Sequence, residues 1–351
     1  MQNWSRSCFA ALTLWLSPFG ALAETLVLVA GGEDDRVGVP ALQAKLREPF
    51  GVDFDVAGNL FIVEMISGNR LLKVDTSGIL THVAGQLAPG DSGDGGAALQ
   101  AQFNGPHNLV VLPSGDVLLS DTWNGRVRRV SLTTGKVSSV PGYEVPRERA
   151  RTGGPYCIAL SPDGTQLIVA DLRRVHRLDL STGRIAVIAG NGEKGVPDDG
   201  ALAVDAPLVD PRAAVMDRAG NLYILERNGH ALRMVDRAGR IRTVVNAAGQ
   251  KGADGDGGDA LAAKLNGPKH LCMDADDNVI IADAENHLIR KYIPATGKLI
   301  RVAGTGRKGA AGLGGSPELA DLNRPHGVTV TRDGTLYITD SYNNRILKIV
   351  K

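Results

Sequence analysis

A proline and an acidic residue recur along this chain with a common period, and this repetition constrains the fold more than any other feature. The prolines follow each other at intervals of 49 to 57 residues, and they are Pro49, Pro106, Pro155, Pro211, Pro268 and Pro325. The acids follow each other at intervals of 50 to 57 residues, and they are Glu64, Asp121, Asp171, Glu226, Asp283 and Asp340. Two independent markers with one period predict six structural repeats within a single domain over residues 24–351.

Each repeat is predicted to be a sheet of four short antiparallel strands. In the last repeat, "GVTV" (327–330), "TLYITD" (335–340) and "RILKIV" (345–350) are rich in Val, Ile and Leu and are separated by the turns "RDG" and "SYNN". In the preceding repeat a fourth such segment, "KLIRVAG" (298–304), follows the turn "PATG". Four-stranded units that repeat radially are typical of the blades of a β-propeller.

The two ends of the sequence complement each other. The sixth repeat stops at Lys351 after its third strand, whereas Thr25 to Gly32, "TLVLVAGG", form a strand-like segment ahead of the first repeat. Pairing that segment with the last three strands completes the sixth sheet and removes an exposed edge. We therefore predict an all-β fold, a six-bladed β-propeller of four-stranded antiparallel blades, closed by the N-terminal strand joining the last blade.

Residues 1–23 differ from the rest of the chain and predict a secretory signal peptide. Arg6 precedes an uncharged apolar stretch that ends in small residues at Ala23, so we expect cleavage before Glu24. A membrane anchor is the alternative, but the stretch is short and is interrupted by a proline and a glycine near its end. We therefore expect an exported protein, periplasmic or extracellular, with no membrane span after signal cleavage.

Charge argues against a nucleic-acid partner. Arg6 is the only one of the 39 lysines and arginines that lies in residues 1–23, and all 38 acidic residues lie after them. The rest of the chain is therefore close to neutral, and no overall field attracts it to nucleic acid or to an anionic membrane. We expect a monomer.

Two cysteines remain after signal cleavage, Cys157 and Cys272. Both fall near the starts of predicted innermost strands, in repeats that are not adjacent. We expect both thiols to be buried and unpaired.

Several segments resemble a known repeat family. "FNGPHNLVVLPSGDVLLSDTWNGRVRRV" (103–130) and "LNRPHGVTVTRDGTLYITDSYNNRILKIV" (322–350) closely resemble the NHL repeat, and the likeness extends over essentially all of residues 24–351. It is clearest in repeats two, five and six. In the weaker repeats, "DLRRV" (171–175) lacks the usual Asn, and Ala231 stands where others have Arg. The resemblance implies a six-bladed propeller and usually a ligand- or protein-binding role, without one common chemistry.

The residues beside the recurring prolines predict a ligand-binding site. The innermost strand of each blade starts there, so the residue after each proline is expected to ring the mouth of the central channel: Phe50, His107, Tyr156, Arg212, Lys269 and His326. His270 follows one position later in the fifth repeat. These side chains differ from blade to blade, and convergent polar groups in a concave mouth are typical of a binding site. A hydrated funnel without a ligand is the alternative.

A metal site is another interpretation of the mouth. The imidazoles of His107, His270 and His326 could hold Zn²⁺ with an open fourth position, and a similar propeller, the peptidyl-hydroxyglycine amidating lyase, uses histidines around its channel. However, His270 is offset by one position, and the local histidine spacings of zinc sites are absent. The Asp-Gly loops 90–96 and 254–259 suggest calcium but lack the bidentate Glu of an EF-hand. We predict no cofactor, with zinc or calcium as the alternatives.

The six recurring acids end the second strands and are expected to form another ring on the same face. A catalytic carboxylate pair is conceivable there. We interpret the acids instead as structural acceptors for backbone N–H groups and for the arginine that follows, such as Arg126 or Arg345.

Two functions follow from these observations. The first is an exported binding module that takes a protein, peptide or glycan through its loop face, where "GYEVPRERARTGG" (142–154) places Arg147, Arg149 and Arg151. The second is an enzyme, a lyase or lactonase-like hydrolase with or without a metal, acting at the channel mouth, because similar propellers include the amidating lyase and gluconolactonase-like proteins. RNA binding, known for some cytosolic NHL propellers, is disfavoured by the neutral charge and the export signal.

Overall fold

Six antiparallel sheets follow one another along the chain, and each contains four strands that correspond from sheet to sheet. The structure is a computed structural model that describes residues 24–146 and 153–351. The predicted signal peptide lies outside the described residues, and so do Arg147, Arg149 and Arg151 of the loop 142–154. The sheets are the six blades predicted from the repeat, and the predicted propeller is confirmed.

The strands of each blade run outward from the channel in chain order, apart from the last blade. The first blade comprises Pro49–Phe54, Leu60–Glu64, Arg70–Val74 and Ile79–Gly85, with Val39–Pro40 at its outer edge. The second comprises Leu109–Val111, Val117–Asp121, Arg126–Ser131 and Lys136–Glu144, and the third Cys157–Leu160, Gln166–Asp171, Arg174–Asp179 and Ile185–Ala189. The fourth comprises Pro211–Met216, Leu222–Glu226, Ala231–Val235 and Ile241–Val245, and the fifth His270–Met273, Val279–Asp283, Leu288–Ile293 and Lys298–Ala303. The sixth comprises Gly327–Val330, Leu336–Asp340, Arg345–Val350 and Thr25–Ala30.

Short 3-10 turns connect some of these strands. Three of them follow the recurring acids directly and place side chains at the loop face: Thr122–Asn124, Ala284–Asn286 and Ser341–Asn343. Two others lie in the long connections between blades: Ala98–Gln100 and Pro317–Leu319.

The N-terminal strand closes the ring. Thr25 is aligned with Val350 and Leu28 with Leu347 in an antiparallel pair, so the sixth blade takes its outermost strand from the start of the chain. Leu26 of this strand is fully buried in the core of the last blade. The innermost strands of neighbouring blades contact one another around the whole ring, including the first and the sixth. They therefore enclose a central channel.

Four of the six second strands are buried along their whole length. Every residue of Leu60–Glu64, Val117–Asp121, Leu222–Glu226 and Val279–Asp283 is buried. Adjacent sheets cover both faces of each such strand, so the usual alternation of buried and exposed residues is lost. The recurring acid at the end of each strand is therefore held rigidly against the loop face.

The buried acids accept hydrogen bonds from the backbone. Five of them accept the N–H of the residue 17 positions earlier, at 2.6 to 2.8 Å: Glu64, Asp121, Glu226, Asp283 and Asp340. The acid of the third blade differs, because Asp171 accepts from Tyr143 Oη at 3.2 Å and lies 2.9 Å from His176 Nε2. These contacts are those of structural acceptors.

The arginine partner expected for Asp121 was wrong. Asp121 lies 3.2 Å from Nη1 of Arg128, whereas Arg126 pairs with Asp91 in the loop above. The other expected pair is present, with Arg345 Nε 2.7 Å from Asp340. The first and third residues of a strand point to the same side, so an arginine at either position can reach the acid. The sequence pattern alone does not distinguish them.

Both cysteines within the described residues are free thiols, and only one of them is buried. Cys157 is 2% exposed, whereas Cys272 is half-buried beside a depression at the far end of the channel. The expectation that Cys272 is buried was therefore wrong, because the innermost strands leave the channel end open at this level, whereas the expectation that it is unpaired is confirmed. No helix within residues 24–146 and 153–351 has the length and apolar character needed to cross a bilayer.

Candidate functional site

The seven side chains expected at the channel mouth lie around a single cavity of about 270 Å³, which we call the cup. They are Phe50, His107, Tyr156, Arg212, Lys269, His270 and His326. The backbone explains their convergence, because the innermost strands of the six blades start at the same end of the channel. Their role in ligand binding stays a prediction.

Aromatic contacts link four neighbouring blades along the wall of the cup. The Phe50 ring is stacked on His326, with centroids 4.1 Å apart, and meets His107 edge-on at 5.5 Å. His107 in turn contacts Tyr156 at 5.5 Å. The guanidinium of Arg212 lies over the Tyr156 ring, 3.5 Å from its centroid, a cation–π geometry. The wall therefore has aromatic rings at Phe50 and His326 and a cation, Arg212, at its other end.

His107 and His326 have the same tautomer. In each residue Nδ1 lies 2.8 Å from a carbonyl oxygen two residues earlier, that of Gly105 or of Arg324. A carbonyl oxygen only accepts, so Nδ1 carries the proton and Nε2 is the acceptor of the neutral ring. Burial, together with the charge of nearby cations, lowers the pKa of His107 to about 3 and holds the pKa of His326 well below its usual range. Both rings are therefore neutral at physiological pH.

The opposite side of the cup is cationic. Asp210 is shared by Arg227, with Nε at 2.7 Å, and by Arg212, with Nε at 3.7 Å. Glu285 is likewise shared by two cations, Arg324 at 2.7 Å and Lys269 at 3.7 Å. Four cations therefore share two carboxylates. The three that line the cup, Arg212, Arg227 and Lys269, outnumber the acid among its lining residues, Glu48, so the cup carries excess positive charge.

Lys269, like Arg212, has no acid closer than 3.7 Å. Its nearest acid is beyond hydrogen-bond distance, and its side chain is 19% exposed. Burial, with the charges of Arg212 and Arg227, lowers the pKa of Lys269 to about 8. Lys269 is thus still largely protonated at neutral pH.

A hydrogen-bonded bridge forms the floor of the cup. Asn108 Nδ2 lies 3.0 Å from His270 Nε2, and Asn108 Oδ1 accepts the N–H of Ile158 at 3.0 Å. The floor fits only because small residues flank it: a Cβ on Gly51 would lie 3.0 Å from Cα of Asn108. His270 therefore points into the channel below His107 and His326, as its offset in the sequence suggested.

The position of His270 does not favour the predicted zinc site, because both of its ring nitrogens already face other groups of the protein. His270 meets Asn108 with one ring nitrogen, and its Nδ1 lies 3.3 Å from the N–H of Val328. Among the residues that the structure describes, no group of three or more His, Cys, Asp or Glu side chains is arranged to hold a metal ion. In the Asp-Gly loops, Asp256 contacts Arg290 and Arg301 rather than other carboxylates. Zinc and calcium are therefore kept only as alternatives, each to be decided by elemental analysis of the protein.

Further residues of the cup lie in the turns after the second strands and were not predicted: Met65, Ile66, Trp123, Arg227 and Tyr342. Each stands one or two positions after a recurring acid. Those positions vary from repeat to repeat, as the positions after the prolines do. A comparison of these turn positions across the six repeats would therefore have found them.

Comparison with protein families identifies the repeat. The model of the NHL repeat matches residues 103–130, 265–292 and 322–349, which belong to blades two, five and six. NHL repeat-containing protein 2 of Homo sapiens is 22% identical over 89% of this chain. SUPPRESSOR OF QUENCHING 1 of Arabidopsis thaliana is 23% identical over 72% of it. The chain spans only 48% and 25% of the length of these relatives.

Solved structures share the architecture. An auxiliary nutrient binding protein from Bacteroides thetaiotaomicron superposes with a TM-score of 0.67 and 15% identity, covering 93% of this chain and 76% of that one. A catalytically inactive virginiamycin B lyase from Staphylococcus aureus with quinupristin superposes with a TM-score of 0.56 and 14% identity, covering 93% and 99%. Identities this low establish the fold alone. The chain thus contains three NHL repeats, in blades two, five and six of a six-bladed β-propeller.

Proposed function

We propose that this chain is an exported binding module whose loop face captures a protein, peptide or glycan by an anionic group held in the cup. The observation that carries the proposal is the cluster in which four cations share two carboxylates. A ligand carboxylate would balance this charge, and ammonium and guanidinium groups bind carboxylates through charge-assisted hydrogen bonds. The NHL repeats and the nutrient-binding protein of similar fold support a binding role.

The test compares the retention of acidic ligands by matched variants. An array of peptides and oligosaccharides, with and without carboxylates, is probed with the wild type, Lys269→Gln and Lys291→Gln. Lys291 is the control because it belongs to the same blade but is not among the residues that line the cup. We expect the wild type and the control to retain carboxylate-bearing ligands and Lys269→Gln to bind them about ten-fold more weakly. Equal retention by all three proteins contradicts the proposal.

Export is the second part of the proposal and rests on the pattern of residues 1–23. Amino-terminal sequencing of the protein recovered from the periplasm or the medium tests it. We expect Glu24 as the first residue. Recovery of the uncleaved chain from the cytoplasm contradicts it.

The matched tautomers of His107 and His326 favour an enzyme as the second candidate function. In a lyase or lactonase-like hydrolase, Nε2 of either ring would accept a proton while Arg212 and Lys269 stabilise the developing negative charge. The pKa of about 3 makes His107 a weak base in the empty cup, which is why binding ranks first. A bound anion would raise that pKa and make the base stronger.

Turnover of lactone and α-hydroxyamide substrates by the wild type and His107→Gln tests this candidate. Loss of turnover in the variant supports it, and the absence of turnover in the wild type contradicts it. Elemental analysis of both proteins tests the metal-dependent form. Stoichiometric zinc or calcium that His107→Gln loses supports that form, and a metal-free active protein contradicts it.

A further inference from the structure

The cup has two unlike sides. The fourth and fifth blades contribute the cations Arg212, Arg227 and Lys269. The sixth, first and second blades contribute mainly rings and apolar side chains instead: Phe50, Met65, Ile66, His107, Trp123, His326 and Tyr342. The acid Glu48 also lies on this side, where it accepts a hydrogen bond from Ser67 Oγ at 2.8 Å. A ligand that fills the cup therefore meets positive charge on one side and rings on the other.

The ring side offers surface to a ligand. Phe50 is only 6% exposed and anchors the wall between His107 and His326. Trp123 and Tyr342 stand above it and are more accessible; Tyr342 is 44% exposed and is stacked on His326 at 5.6 Å. Aromatic side chains bind further rings in stacked or edge-to-face arrangements. The wall therefore has the geometry to take one more flat ring.

The same side is poorly suited to a ligand rich in hydroxyl groups. The proton of Nδ1 in His107 and in His326 is already donated to a backbone carbonyl. Phe50, Met65 and Ile66 offer no polar side-chain atoms. Hydroxyl groups pressed against these three side chains would lose their water without gaining partners there, which costs free energy. The wall thus disfavours a sugar acid relative to an aromatic acid.

The floor limits what can enter. The contact between Asn108 and His270 crosses the channel, so an extended chain cannot pass through it. The cup holds about 270 Å³, near the lower end of ligand pockets. One ring with its carboxylate is a suitable size, and the carboxylate would face Arg212 and Lys269.

From these observations we infer that the ligand group of the cup is an aromatic carboxylate, whose ring lies against Phe50, Trp123 and Tyr342 and whose anion faces the cations of the fourth and fifth blades. This inference rests on the proposed binding function and specifies its ligand class. The group can come from a free aromatic acid or from a peptide that ends in an aromatic residue, because both present the same chemistry.

Titration calorimetry with the full-length protein tests the inference with four small probes. Phenylacetate has both groups, acetate lacks the ring, phenylacetamide lacks the charge, and glucuronate replaces the ring by a sugar. We expect phenylacetate to bind at least ten-fold more tightly than each of the others. Equal binding of acetate, or tighter binding of glucuronate, overturns the aromatic inference while leaving anion binding intact. Failure of every carboxylate to bind overturns the proposed function itself.

Two variants separate the ring contact from general damage. Trp123→Leu is expected to weaken phenylacetate binding at least five-fold and to leave acetate binding unchanged. The control is Tyr337→Leu, because Tyr337 contacts Phe54 at 4.6 Å and does not line the cup. We expect this control to bind phenylacetate as the wild type does. Equal phenylacetate affinity of Trp123→Leu and the wild type, with both proteins folded by circular dichroism, overturns the inference.

A peptide that ends in phenylalanine, compared with its C-terminal amide, distinguishes the two sources. Tighter binding of the peptide acid than of phenylacetate assigns a peptide ligand, and the reverse assigns a free acid; both outcomes support the aromatic carboxylate. Binding of the amide as tightly as the acid overturns it.

Discussion

Asn108 Nδ2 lies 3.0 Å from His270 Nε2, although the two residues are 162 positions apart in the sequence. They belong to the second and fifth blades, which face each other across a six-bladed ring. Their contact turns an open channel into a cup with a floor. The depth of the cup, and therefore the size of its ligand, depends on this pair.

The floor also stabilises the ring. Asn108→Ala removes the acceptor for the buried N–H of Ile158, which Asn108 Oδ1 meets at 3.0 Å. An unsatisfied buried donor costs about 1–3 kcal/mol, and we expect the free energy of unfolding to fall by that amount. Urea unfolding of the variant and the wild type measures it. A change below about 0.5 kcal/mol, the usual range of surface substitutions, means that the floor does not stabilise the fold.

Anion binding is expected to depend on pH through Lys269. Its pKa of about 8 means that the ammonium is present below this pH and is lost above it. The affinity for phenylacetate should therefore fall about ten-fold, or roughly 1.4 kcal/mol, as the pH rises from about 7 to about 9.5. Calorimetry at both values measures the change.

Lys269→Arg is the matched control for this pH effect. Arginine keeps its charge over the whole range, so the affinity of the variant should vary little with pH. Parallel pH profiles for the variant and the wild type would assign the titration to another group.

The fourth blade neutralises its acid from the third position of the third strand, as the second blade does with Arg128. Ala231 leaves the first position of the third strand without a cation, and Arg233 pairs with Glu226 at 2.9 Å instead. Both side chains are almost fully buried. Arg233→Met leaves Glu226 as a buried unpaired acid, and we expect a loss of about 3–5 kcal/mol in the free energy of unfolding.

The double variant Glu226→Gln with Arg233→Met identifies the cause of that loss. It removes the uncompensated charge, so we expect it to recover part of the stability in urea unfolding. Arg242→Met, at an exposed position of the neighbouring strand, is the control and should change stability little. A double variant no more stable than Arg233→Met contradicts the charge argument.

Local sequence patterns predict the blades and their closure. Thr25–Gly32 is a strand-like segment ahead of the first repeat, and the sixth repeat has only three strands of its own. Counting strands therefore predicts that this segment pairs with the third strand of the sixth repeat, as it does in the structure. The ring beside the prolines follows similarly, because the start of an innermost strand fixes which residue reaches the mouth. Phe50, Arg212 and Lys269 were found in this way.

Contacts that depend on the spacing between blades could not be predicted. The floor requires Asn108 and His270 to meet across the ring, and nothing near either residue signals the other. The choice of Arg128 over Arg126 by Asp121 depends on which of two equivalent positions lies closer once the loop above is packed. Trp123 was missed for a different reason: it lies in a turn after a second strand, where the pattern beside the prolines carries no information.

A crystal structure of the protein with phenylacetate is the most direct measurement of whether the cations of the cup hold a ligand carboxylate. We expect the carboxylate oxygens about 3 Å from the side-chain nitrogens of Arg212 and Lys269, with the ring against Phe50 and Trp123. A carboxylate bound outside the cup, or a ring directed at the cations, would show that the cup does not recognise its ligand in this way.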